Sequence, residues 1–507
     1  MQRTASLPAM QLVSTLLLPA VPLFPLIAGF LCRGRSPETA GRLAVSAAGV
    51  SAILAALLVI SGAGAGSDLF KLDAVSSVMV VLVSFLGTVV LRFSRHYLAG
   101  DPAQAKFFSW MSLTLASVLT LVLSGNLLVL LAAWVSTSLC LHRLLLHHPE
   151  RAGAVFSARK KFVFSRVGDV CLLAASVLLF RAHGSWNFDE IFASVAAGNT
   201  AGLPAVGFLL VACAALKSAQ FPFHSWLPDT METPTPVSAF MHAGIINAGG
   251  FLIVRFSPLF AHAADALNLL VVIGTVTAAF GAVVMLAQPG VKRALAYSTI
   301  AQMGFMLLQC GLGAYGLALI HIAAHSLYKA HAFLTAGSTV GAVPRAAIPL
   351  ATPALTLGVL VGGLIATGGA TALHMLAPAA PVQPWVFAVV LALALAYGLA
   401  RAWSAGGGAA MILRPVGAAV LVCAVTYALH AGSGFLLTGV SAPETPSLLA
   451  AFVAAVFVAL FIFQALLWRA GHHPLGRRLY VHALNGFYLG TIANRLLGHL
   501  WPRHPIS

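Results

Sequence analysis

The sequence predicts an all-α polytopic membrane protein with about 14–15 transmembrane helices, on three observations. Hydrophobic residues make up 60% of the 507 and charged residues only 8%, where an ordinary soluble domain carries roughly 25% charge. The apolar residues come in long runs, among them Leu43–Leu58, Ser76–Val90, Leu113–Leu131 and Leu449–Trp468, which approach or exceed the ~20 residues that cross a bilayer. Backbone surrounded by lipid must satisfy its own hydrogen bonds, so these runs are helices rather than strands. The run after Arg3 lacks a small-residue cleavage site and reads as the first span, not a removed signal peptide.

The net charge of +16 invites a nucleic-acid reading that its distribution rejects. Basic residues sit in short connections: Arg33, Arg35 and Arg42; Arg92, Arg95 and Lys106; Arg143, Arg151, Arg159, Lys160 and Lys161; Lys292 and Arg293; Arg469, Arg477 and Arg478. These fall in alternate loops, while Asp189, Glu190 and Asp265 fall in the opposite set. Basic loops stay cytoplasmic. The expected topology is therefore multi-pass in a bacterial inner membrane, N-terminus periplasmic and C-terminus cytoplasmic. One transmembrane domain occupies residues 1–474, and the connection richest in charge is His147–Lys161. Residues 475–507 form an amphiphilic cytoplasmic segment, read as an interfacial helix or a docking site for a partner. The six cysteines are scattered and suggest neither a disulfide framework nor a metal site. No dinucleotide fingerprint, phosphate loop or nucleophile–base pair occurs, so no cofactor and no enzyme chemistry is expected of the chain itself.

Most of the information lies in the few ionisable residues inside apolar runs, where a charge costs at least about 2.5–3.5 kcal/mol and usually faces a bundle interior or a water-filled path. Lys217 follows Gly207–Leu216 and precedes Pro222, Pro228, Pro234 and Pro236. Prolines free backbone carbonyls, and freed backbone inside a membrane is the anatomy of a broken transport helix. A lysine can instead snorkel to the interface, but Phe221, Phe223 and Trp226 continue the apolar segment beyond it. His321, His325 and Lys329 are spaced i, i+4, i+8, on one helix face in steps of about 5–6 Å. Histidine titrates near neutrality, so this face suits a proton relay. Two histidines four apart also fit zinc, but no acid lies on this helix to complete a site. His242 is a further relay candidate or a satisfied core histidine. Arg166 and Asp169 can pair across a turn, as a helix-end salt bridge or to tune Lys217. Asp229 and Glu232 read as caps for the helix that restarts after the prolines.

The run Lys217-Ser-Ala-Gln-Phe-Pro-Phe-His-Ser-Trp-Leu-Pro-Asp229 through His242 closely resembles the signature of the antiporter-like subunits of respiratory complex I and Mrp sodium/proton antiporters. Val291–Gly304, His325-Ser-Leu-Tyr-Lys329 and Phe164-Ser-Arg-Val-Gly-Asp169 match further segments of that family. The resemblance implies two inverted five-helix repeats with broken helices, at about residues 105–258 and 265–431, and a hydrated axis of charge. Two departures stand out. The family has Trp-Glu where this chain has Trp134-Val135, so the acid that pairs with the lysine is missing. No lysine follows Lys329, and Arg401 is the only weak substitute for the family's exit-side lysine.

The short stretch after the last span lacks room for the lateral helix of the largest complex I antiporter-like subunit. It resembles instead the DabB branch, the membrane subunits of DAB inorganic-carbon complexes, as do His482–Tyr488 and His147–Lys161. That resemblance implies a DabA-like cytoplasmic partner containing zinc, and membrane lipid but no nucleic acid around the chain. It implies a proton path through Lys217, His242, His321, His325 and Lys329, tuned by Asp169, Arg166 and Asp229, that couples a cation gradient to CO2/bicarbonate uptake. The alternatives are a subunit of a cation/proton antiporter or NADH-quinone oxidoreductase complex, and a membrane anchor with a vestigial path.

Overall fold

The computed structural model describes residues 6–62, 65–339, 350–376, 385–406, 409–434, 437, 442–470 and 473–500. Helices α1 (Ser6–Leu17) and α2 (Ala20–Leu31) run in succession, followed by α3 (Pro37–Ile60), which Ser36 caps by accepting from the Thr39 N–H. A two-residue ladder, β1 (Ala65–Gly66) with β2 (Lys71–Leu72), leads into α4 (Ala74–Tyr97). Asp73 and Ser76 form a reciprocal capping box at its start. Then come α5 (Gln104–Leu123) and α6 (Leu127–Leu145). They correct the reading of Leu113–Leu131 as one run. Ser124 and Asn126 are extended, and Asn126 accepts from Leu128 N–H at 2.8 Å as the cap of α6. A short polar triplet thus supplies a tight turn inside an apolar stretch.

Helix α7 (Ala152–His183) begins early in the segment expected to be a long basic loop. The α6–α7 connection is only Leu146–Arg151, and Lys160 and Lys161 are buried. After α8 (Phe188–Ala196), helix α9 (Leu203–Lys217) stops in the middle of the bundle. There Ala219 takes φ +50, Phe221–Pro222 is cis, and the chain passes through 3₁₀ turns around α10 (Trp226–Asp229) before α11 (Thr235–Ala243). This is the break that the prolines predict, since each proline withholds a backbone donor. A second unwinding, unforeseen from the sequence, follows at Gly244 and the 3₁₀ turn Ile245–Asn247, before α12 (Ala248–Arg255).

The bundle continues through α13 (Ser257–Phe260), α14 (Ala264–Ala287), α15 (Val291–Gly311) and α16 (Tyr315–Leu334). Glycines bring α14 and α15 together: a Cβ on Gly274 would lie 2.6 Å from Leu308 N, and one on Gly304 2.5 Å from Ala278 N. Without a hydrophobic drive between helices in lipid, such small-residue contacts carry the packing. Helices α17 (Thr352–Leu376), α18 (Trp385–Ser404), α19 (Ala409–Ser433) and α20 (Ser447–Ala470) complete the bundle, each continuous over its range. The resemblance implies a broken helix in each repeat; among the described residues the break is seen in the first, and the helices of the second are continuous over their ranges.

Among the described residues, 12 helices are long and apolar enough to cross a membrane. The half-length α9 and the more polar α15 and α16 bring the bundle to the upper end of the expected range. The alternation of helix directions puts the ends that bear Arg33, Arg95, Arg143, Lys292 and Arg401 on one side, here called the basic end. At that end α21 (Pro474–Leu484) and α22 (Leu489–Leu500) fold back onto the bundle. Gln288 Nε2 donates to Leu484 O at 3.2 Å, and the Phe487 ring meets Phe280 at 6.0 Å. The amphiphilic tail is therefore a seated part of the fold along this edge, with Leu475, Tyr480, Val481 and Ile492 left exposed.

Candidate functional site

The α9 break places Lys217 at the centre of a buried polar group. Its ammonium lies 4.4 Å from the centroid of the Trp134 ring and has no hydrogen-bond partner among protein groups. Arg166 Nη2 meets Asp169 Oδ2 at 2.6 Å across one turn of α7, as the i, i+3 spacing predicts. Lys217, Arg166 and Lys161 all act electrostatically on that carboxylate. Asp169 of α7 is thus an acid within electrostatic reach of Lys217, while α6 carries Val135 at the matching family position. The sequence reading missed Lys161. It is buried and donates to Ser138 O at 3.0 Å and to Ser138 Oγ at 2.8 Å, one turn along α6 from Trp134. Its neighbours in sequence, Arg159 and Lys160, made it look like part of a basic loop.

Lys160 is the second residue missed. Its side chain is 0% exposed and its Nζ reaches Asp229 Oδ2 at 2.8 Å and Asn494 Oδ1 of α22 at 2.7 Å. Asp229 therefore binds a lysine and caps nothing, and α11 starts without a side-chain cap. Glu232 also corrects to a different role: its carboxyl lies against Gly153 at the start of α7, where a Cβ would be 2.3 Å from Oε1. Carboxylates are favoured beside the N-terminus of a helix.

The second polar group is built on α16 against α11 and α15. His321 Nδ1 and Gln309 Oε1 are 2.8 Å apart, and the His321 and His325 rings are 6.0 Å apart. Lys329 Nζ, fully buried, donates to Leu295 O at 3.1 Å. His242 enters this group from α11. Its Nδ1 lies 2.9 Å from Thr299 Oγ1, its ring stacks on Phe333, and its charge state acts on His325. The three residues of the i, i+4, i+8 pattern and His242 are therefore neighbours.

The unwound segment of α11–α12 joins the two groups. Ser218, next to Lys217, donates from Oγ to Ile246 O at 2.6 Å. Asn247 Nδ2 then donates to Ser326 Oγ at 2.8 Å, between His325 and Lys329 in α16. Gly249 allows this approach, since a Cβ there would lie 2.3 Å from Ser218 Oγ. Both groups contain buried polar atoms without protein partners: Lys217 Nζ, Gln220 Oε1, His242 Nε2, Asn247 Oδ1 and His325 Nε2. Such atoms draw in water. At the end opposite the basic one, a cavity of about 720 Å³ opens beside the start of α16, lined by Tyr315, His430, Ser433 and Glu444. Arg401 stands in the last turn of α18, at the basic end, in a helix packed on α17, α19 and α20.

Two family models match: "NADH:quinone oxidoreductase/Mrp antiporter, TM" over residues 124–348, and "NADH-Ubiquinone oxidoreductase (complex I), chain 5 N-terminus" over residues 69–108. The chain is 40% identical to "Probable inorganic carbon transporter subunit DabB2" of Halothiobacillus neapolitanus over 85% of its own length and 80% of the relative's. The chain belongs to the DabB branch of the complex I/Mrp antiporter-like family. It is also 37% identical to the DabB of Hydrogenovibrio crunogenus, over 84% and 82% of the two chains. Subunit L of the NADH-quinone oxidoreductase of Mycobacterium tuberculosis is 40% identical over a shorter stretch, 54% of this chain and 44% of that one. The fold is shared with the Mrp complex of a Dietzia species, with a TM-score of 0.63 at 24% identity over 97% of this chain and 60% of that chain. This DabB-branch chain is thus a multi-pass membrane transport subunit.

Proposed function

We propose that this chain conducts protons across the membrane and uses their movement to drive inorganic carbon (CO2/bicarbonate) uptake by a partner. One observation carries the reading. Two lysines are buried on different helices, and the segments that carry them meet the same unwound stretch: Ser218, next to Lys217, bonds Ile246 O, and Asn247 bonds Ser326, three residues before Lys329. Buried charge of this kind is expensive unless it serves a path. The path enters at the basic end beside Lys160 and Asp229 and reaches Lys217, which Asp169 and Arg166 tune. It crosses to His242, Lys329 and His325, and leaves past His321 toward the cavity beside Tyr315. In this reading the repeats at 105–258 and 265–431 meet where Asn247 contacts Ser326. The membrane is the bacterial inner membrane, and the basic end with α21 and α22 faces the cytoplasm.

CO2 hydration belongs to a DabA-like partner that holds zinc, since zinc lowers the pKa of bound water. This chain supplies the coupling. Both named DabB relatives, similar over more than four-fifths of this chain, support this over an antiporter or respiratory subunit. In cells carrying the assembled complex, Lys217→Ala and Lys329→Ala each abolish accumulation of labelled inorganic carbon while the partner still copurifies. Normal uptake in both variants refutes the proposal. Copurification of small hydrophobic or iron–sulfur subunits without a zinc protein favours the respiratory alternative.

A further inference from the structure

The loops at the basic end bring Asp101 beside the adjacent pair His147 and His148, 46 residues further along the chain. Asp101 lies between α4 and α5, and His147 and His148 lie between α6 and α7. One ligand-capable atom of each lies within 4.8 Å of the others. Asp101 Oδ2 is 2.9 Å from His147 Nε2, while its Oδ1 accepts from the Ala103 N–H at 2.7 Å, so the carboxylate is fixed by its own loop. The His147 side chain is only 4% exposed. Its ring packs edge-on against Phe107 at 5.4 Å and against His148 at 4.7 Å. His148 Nδ1 faces Glu150 Oε1 at 3.2 Å. A carboxylate on one imidazole nitrogen, as Glu150 on Nδ1 of His148, fixes the tautomer, leaves the other nitrogen free and raises its basicity, which is how metal-binding histidines are held.

We infer that Asp101, His147 and His148 form a divalent-metal site of the zinc type that ties the α4–α5 loop to the α6–α7 loop, with Glu150 orienting His148. Zinc takes such ligands at about 2.0–2.2 Å, which puts tetrahedral neighbours roughly 3.3 Å apart. Asp101 and His147 need separate by only a few tenths of an ångström to admit it. Three protein ligands leave a fourth position for water or a partner's side chain. The Asp101–His147 hydrogen bond and the His148–Glu150 contact account for two separate approaches; a single ion would hold all three grouped atoms at once. The arginines around this end repel a dication, so the field attracts nothing and binding rests on the ligands themselves. The site should therefore take Zn2+ or Co2+ and reject Mg2+ and Ca2+, which want oxygen ligands. Helix α7 starts immediately after these histidines and carries Lys160 and Lys161, so the metal would anchor the helix that lines the path.

The test uses the full chain, purified in detergent without a histidine tag, stripped with chelator and titrated with Co2+ and then Zn2+. One equivalent of Co2+ should bind with the visible absorption of a tetrahedral nitrogen/oxygen site, and Mg2+ and Ca2+ should not compete. His147→Ala and His148→Ala should each weaken binding at least about ten-fold, while His321→Ala leaves it unchanged. Zinc should raise the melting temperature of the wild type and not that of His148→Ala, which replaces a partly exposed side chain. The inference fails if the wild type binds no stoichiometric metal. It fails equally if binding survives in His147→Ala and His148→Ala, or disappears in His321→Ala.

Discussion

Replacing Lys217 by methionine should make the protein more stable and inactive. The ammonium is buried without a hydrogen-bond partner, and burying a charge costs several kcal/mol even after relaxation. Against that stands its position 4.4 Å over the Trp134 ring, worth about 2 kcal/mol when desolvated, and the longer-range pull of Asp169. The balance leaves roughly 1–3 kcal/mol of net strain that a near-isosteric methionine removes. Lys217→Met should therefore melt at a higher temperature in detergent than the wild type and carry no labelled inorganic carbon in cells. Lys217→Arg sharpens the test, because arginine keeps the cation over the ring but does not release a proton at physiological pH. It should assemble and remain inactive. A Lys217→Met protein that melts lower than the wild type, or either variant that retains uptake, would show that this lysine is a packing element and refute the reasoning.

Lys160→Ala leaves Asp229 without its cation and Asn494 without its donor. A loss of roughly 2–4 kcal/mol is expected, together with faster proteolytic release of residues 474–500, read on gels. Gly249→Leu forces a side chain into the 2.3 Å approach to Ser218 Oγ. It should cost about 1–3 kcal/mol and lower uptake along with the melting temperature, whereas equal stability would mean that α9 and α12 separate freely. Asp73 tests the electrostatics at the opposite end. Burial pushes its carboxyl up, but the Arg255 guanidinium and the Ser76 hydrogen bonds outweigh this and hold it below the usual carboxylate range. The stabilisation is thus full above the unfolded value near pH 4 and is lost as pH falls through the lower folded value. Melting curves from pH 6 to pH 3 should show an acid-dependent loss that Asp73→Asn largely removes.

Several elements were legible before any fold. The prolines from Pro222 to Pro236 announced the break after Lys217, because a residue without an N–H cannot continue a helix ladder whatever surrounds it. The i, i+4, i+8 spacing put His321, His325 and Lys329 on one face by geometry alone. Arg166 and Asp169 paired as their three-residue separation required. Other features carried no local signal. Lys160 and Lys161 sit in a run of basic residues that composition assigns to a loop, and only packing against Ser138, Asp229 and Asn494 shows them to be buried. Asn247 carries no local signal in its apolar run, and only the fold brings it to Ser326 of α16.

The sequence by itself determined that this chain is a membrane bundle with a broken helix beside a buried lysine, since hydrophobicity, proline chemistry and helix periodicity are properties of short segments. Its motifs also determined the family. Only the tertiary structure decided which charges meet. It put Asp169 of α7 within electrostatic reach of Lys217, placed Lys161 beside Ser138, seated the tail on Lys160, and gathered Asp101 with His147 and His148. Each of these joins residues on different segments, and electrostatic and hydrogen-bond energies depend on distances in space that no local pattern encodes.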